Sequence, residues 1–164
     1  MLMRYLAVMC LLLAAACGQE AAEEAPAAPA AAPAPAAPAP APARPARRAA
    51  PAGAAAYIIE PANGAVVGNP VRVVFGLRGA GVAPAGVERE GAGHHHLLVD
   101  AELPADLGLP LPNNDNYRHF GGGQTETSFE LAPGMHTLQL VLGDELHIPH
   151  DPPILSERIT IEVR

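Results

Sequence analysis

The chain has no lysine and no tryptophan, and its two cysteines, Cys10 and Cys17, both lie in the first 17 residues. Each absence excludes something. With arginine as its only cation, three Phe, three Tyr and a formal net charge of −7, the chain lacks the basic, aromatic-studded surface of a nucleic-acid binder. Missing lysine beside abundant Ala, Pro and Gly reads as compositional bias of the source. Without cysteine after residue 17, the remainder can build neither a disulfide framework nor a thiolate metal site. No apolar run beyond the first 16 residues is long enough to cross a bilayer as a helix. There is no Ser or Cys nucleophile motif and no His-Glu-x-x-His pair. An enzyme is therefore not the favoured reading. A metal hydrolase with an open coordination position is the enzymatic alternative.

Residues 1–16 read as a signal peptide. Arg4 gives the positive end, and Tyr5–Ala16 form an apolar stretch too short to span. Cys17 follows Ala14, Ala15 and Ala16 and precedes Gly18. The arrangement resembles a bacterial lipobox, which implies lipidation of Cys17 and a membrane anchor. Gly at position 18, where Asp would retain the protein at the inner membrane, implies sorting to the outer membrane. Residues 17–55 are dominated by Ala and Pro. Proline removes amide donors and breaks helices, so this stretch is expected to be a disordered, polyproline-like tether. At about 3.1 Å per residue it would reach on the order of 100 Å. Arg44, Arg47 and Arg48 near its end are expected to be solvated.

Residues 56–164 are long enough for one domain, and they read as all-β. Val71, Val73, Phe75 and Leu77 alternate with more polar positions, as do Leu138, Leu140 and Leu142, and then Ile159, Ile161 and Val163. Alternation at period two marks strands with one buried face. Residues 94–100 and 124–131 read as two more strands, and Tyr57–Ile59 as a short first one. Gly and Pro punctuate the gaps, and 101–109 have room for one helical turn at most. The pattern predicts an immunoglobulin-like two-sheet sandwich.

Six of seven histidines fall in three clusters: His94, His95 and His96; His119; and His147 with His150. Antiparallel strands place alternate loops at opposite ends. The turn at Ala132–Gly134 is at one end, so the loop 144–156 and the start of the 124–131 strand are at the other. In an immunoglobulin-like sandwich the start of the 94–100 strand joins them. All six histidines then converge on one end, with His136 at the far end as a structural residue. Along a strand alternate side chains point to opposite faces. His94 and His96 can thus share a ligand while His95 points inward with Leu97 and Val99.

The segments 93–100, 119–126, 133–144 and 147–153 resemble the bacterial exported family described as domain of unknown function 4399, and Pro61–Val67 fits its start. The resemblance implies an exported domain and carries no activity.

The expected site is therefore a metal centre built from His94, His96, His119, His147 and His150. Asp144 and Asp151, and Gln124 and Glu126, are candidates to orient the imidazoles of the 147–150 loop and of His119 respectively. Imidazole and carboxylate suit Zn(II) or Cu(II), whereas Cu(I) prefers sulfur. The expectation is a membrane-tethered envelope protein that binds a divalent transition metal. The alternative is a ligand-binding, adhesion or structural module of the envelope without metal.

Overall fold

The computed structural model describes residues 44–164. Residues 1–16, read as a signal peptide, Cys17, and the part of the expected tether up to residue 43 lie outside the described residues. The described residues form nine strands: β1 (Ala55–Glu60), β2 (Val66–Val67), β3 (Val71–Arg78), β4 (Gly81–Val82), β5 (Ala92–Val99), β6 (Tyr117–His119), β7 (Glu126–Phe129), β8 (Gly134–Gly143) and β9 (Ile159–Val163). Among the described residues there is no helix, so none is long and apolar enough to cross a membrane. Residues 101–109 do not make the helical turn. Asp106 instead accepts a hydrogen bond from Gly108 N at 2.9 Å, and Pro104 and Pro110 interrupt the segment.

Two sheets pack face to face. One has the order β1-β3-β7, the other β2-β9-β8-β5-β4, with β6 also paired to β5. The main strands thus follow the immunoglobulin arrangement, with β1, β3 and β7 in one layer and β8 and β9 beside β5 in the other. β2 leaves the first sheet to pair parallel with β9. Alternation fills the space between the layers. Val71, Val73 and Phe75 from β3 meet Leu138, Leu140 and Leu142 from β8, Leu97 and Val99 from β5, and Ile161 and Val163 from β9. Burying one such aliphatic side chain stabilises by about 1.5–3 kcal/mol, so this layer dominates the fold.

β5 departs from simple alternation, because all eight of its residues are buried. It lies between β8 on one side and β4 and β6 on the other. Its inward face joins the main core. Its outward face is covered as well: Leu98 packs with Leu111 and Val141 in a second, smaller core that includes Leu103 and Tyr117. A sandwich sheet ordinarily leaves that face to water. Here it is closed, and this places His94 and His96 in a dry setting.

The boundary expected at residue 55 is too late. Residues 47–50 form a strap across the loop that follows β8. Arg48 O accepts from Asp151 N at 2.7 Å, and Ala50 N donates to Asp151 O at 3.0 Å. Arg47 donates through Nε to Pro149 O at 2.9 Å and also bonds His150 O. Arg48 pairs with Glu145 and Glu88. Arg44 pairs with Asp106. These arginines are docked on the domain. Main-chain hydrogen bonds to a loop require no apolar pattern, and so Ala- and Pro-rich composition did not reveal them.

Candidate metal centre

Four of the five expected ligands come together on the outward face at one end of the larger sheet. β5 supplies His94 and His96, two residues apart and therefore on the same face. His96 pairs in register with His119 of β6, which sets those side chains side by side. The loop after β8 supplies His147. His94, His119 and His147 each offer a ligand atom, and these lie within 4.8 Å of one another. His96 Nε2 lies 3.0 Å from His94 Nε2.

The loop conformation that brings in His147 is built by Asp144. Its buried carboxylate accepts from Leu146 N and Ile148 N, both at 2.9 Å. Its main chain bonds His147 N at 3.0 Å and Ile148 O at 2.9 Å. Leu111 N donates to His147 O at 2.9 Å. Within this frame His147 is held at φ 68°, a left-handed conformation that costs a non-glycine residue on the order of 1 kcal/mol. Two glycines clear room for the rings. A Cβ on Gly121 would come 2.3 Å from His119 Cε1, and one on Gly143 would come 3.0 Å from His96 Nε2. The sequence marks Gly121 only as part of a Gly121-Gly122-Gly123 loop that lets backbone approach a partner closely, and it does not single out Gly143. Their signal was adjacency to the histidine segments, which alone does not show which ring they admit.

His94 and His96 are fully buried. Burial, with the neighbouring imidazoles adding to it, pushes His94 down to about 4 and His96 to about 2. His119 is lowered by burial and by His147. At neutral pH these rings are uncharged, which is the state a metal ligand needs. Buried nitrogens remain without hydrogen-bond partners at His94 Nδ1, His96 Nδ1 and His119 Nε2. His95 Nδ1 and Nε2 and His150 Nε2, outside the cluster, are unpartnered as well, and each such buried atom costs about 1–3 kcal/mol.

The remaining expected residues lie elsewhere. His150 is fully buried on the other side of the sheet: a Cβ on Gly93, which shares the inward face with His95, would lie 3.3 Å from His150 Cε1. It is not in the cluster: Pro149 pairs with Gly143 beside β8, and His150 Nδ1 lies 3.5 Å from Leu142 O. His95 points inward, with its ring centroid 5.2 Å from that of Phe75. Gln124 accepts from Gly122 N at 2.9 Å, Glu126 pairs with Arg72, and Asp151 pairs with Arg47. None of these three orients an imidazole of the cluster, because local donors and arginines claim them. Asp144 acts on the loop backbone. His136 sits at the far end, its Nδ1 2.6 Å from Asp100 Oδ2 and its Nε2 2.8 Å from Ala132 O. With an acceptor at each nitrogen the ring favours its doubly protonated form, and the Asp100 hydrogen bond raises its pKa above the usual value.

The family model described as "Domain of unknown function (DUF4399)" matches residues 73–164. The chain belongs to this family. The match takes in every histidine of the DUF4399 domain and begins downstream of Pro61–Val67, the stretch read as its start. No curated protein and no solved structure matches the chain.

Proposed function

We propose that this DUF4399 protein is a membrane-tethered envelope protein that binds a divalent transition metal, Zn(II) or Cu(II), through His94, His96, His119 and His147. The observation that carries the reading is the convergence of three imidazoles from three separate segments, His94, His119 and His147, whose ligand atoms lie within 4.8 Å of one another with no carboxylate in the group, with the buried His96 joining through Nε2, 3.0 Å from His94 Nε2. Neutral nitrogen donors suit a transition ion and match Mg(II) or Ca(II) poorly. The apolar segment before Cys17, followed by Gly18, supports export, lipidation and an outer-membrane location.

Calorimetric titration of the full chain, purified without a histidine tag, with Zn(II) and with Cu(II) tests this at about pH 7.5, well above the ordinary His pKa. Binding is expected in the wild type. The double change His94→Ala/His147→Ala, which removes one donor from each of two segments, should weaken it by about a hundredfold or more. A wild-type chain that takes up neither ion at micromolar concentration refutes the metal centre and leaves a ligand-binding or adhesion module.

A further inference from the structure

The six separations among the four rings define a shape. Ring centroids are 4.9 Å apart for His94–His96, His94–His119 and His94–His147. They are 5.1 Å apart for His96–His119, 5.9 Å for His96–His147 and 4.7 Å for His119–His147. In a square plane two opposite pairs would exceed the other four by a factor of about 1.4. If His96–His147 were one diagonal, His94–His119 would be the other, and it is as short as the sides. Four points with five separations of 4.7–5.1 Å and one of 5.9 Å form a slightly stretched tetrahedron; His94, His119 and His147 hold their ligand atoms within 4.8 Å of one another, and His96 joins through Nε2, 3.0 Å from His94 Nε2. The scale fits an ion as well. A Zn–N bond of about 2.0–2.1 Å places an imidazole centroid about 3 Å from the metal, and tetrahedral neighbours about 5 Å from each other.

We infer that the four imidazoles form a closed tetrahedral centre selective in geometry for Zn(II), a deepening that rests on the metal reading above. Cu(II) prefers a tetragonal arrangement, which these rings do not offer. Cu(I) accepts four donors but favours sulfur, and Met135 is exposed at the far end of β8. Four protein donors fill a tetrahedral shell and leave no position for water. That is the signature of sites that hold a metal, whereas hydrolytic zinc keeps three protein donors and an open place. The centre therefore stores, carries or braces Zn(II) and does not activate water with it.

Co(II) is the probe for this geometry, because four-coordinate Co(II) absorbs intensely in the visible and six-coordinate Co(II) weakly. The full chain loaded with Co(II) should show intense bands that azide does not perturb, and Zn(II) should displace the Co(II) one for one. His96→Ala opens a position, so azide should then shift the bands. His96→Gln, closer in volume, provides the same test should the alanine variant lose its native circular dichroism. Weak bands, or a wild-type spectrum that azide changes, would overturn the closed tetrahedron and favour an open, hydrolytic site. A wild-type chain that binds neither Co(II) nor Zn(II) fails at the earlier step and refutes the metal centre itself, and the inference with it.

Discussion

Beginning the chain at residue 55 rather than residue 44 removes the strap, and its effect on stability can be worked from the contacts. Two main-chain hydrogen bonds to Asp151 are lost, each contributing about 0.5–1.5 kcal/mol. Arg47, whose side chain is mostly covered, loses its bonds to Pro149 O and His150 O. A hydrogen bond from a charged donor contributes about 1.5–3 kcal/mol. Water replaces part of this at the freed carbonyls, so a net loss of about 2–4 kcal/mol is expected. For a unit of this size that lowers the thermal midpoint by about 10 °C. Melting both chains by circular dichroism in the same buffer measures it. Amide exchange over residues 144–151 should rise in the shorter chain, since the strap crosses that loop. Coincident midpoints and unchanged exchange would refute the reasoning and return residues 44–54 to the tether.

Other outcomes follow from single residues. His136→Ala should cost about 1–3 kcal/mol, the loss of two well-formed hydrogen bonds, and leave metal affinity unchanged; metal loss would contradict its placement at the far end. Because the folded-state pKa of His136 is raised, its stabilisation is full below the unfolded value of about 6.5 and is lost as pH rises through the folded value. Denaturant melts of wild type and variant should therefore converge in alkaline buffer, and a gap that widens with pH would refute the sign. His150→Ala should keep Zn(II) affinity within about threefold, roughly 0.7 kcal/mol, while lowering stability; a loss as large as that of His94→Ala/His147→Ala would place His150 in the centre. Palmitate labelling should mark the full chain and not Cys17→Ser, and equal labelling would end the lipid-anchor proposal.

The main strands were legible because alternation at period two survives in Val71–Leu77, Leu138–Leu142 and Ile159–Val163, and burial on one face is what that period records. The same period separated His94 and His96 from His95. Loops obey no such rule. His147 and His150 are three residues apart in a stretch containing Pro149, and only the actual course of the chain puts one on each side of the sheet. Polar partners were the least legible. Gln124, Glu126 and Asp151 are near histidines in sequence, but each bonds a backbone amide or an arginine that the sequence could not place beside it. The three-residue β6 was too short to show a period, although its register with β5 is what sets His119 against His96.

The covering of the outward face of β5 has a consequence for how occupancy could be sensed from outside. Half of that face is aliphatic, with Leu98, Leu111 and Val141, and half is imidazole. One bond joins the covers of the two halves, from Leu111 N to His147 O. A loop movement that releases His147 thus lifts Leu111 from the same sheet. Under the metal reading proposed above, an ion that holds His147 would also hold the aliphatic cover in place, so occupancy would be reported as oily surface kept hidden.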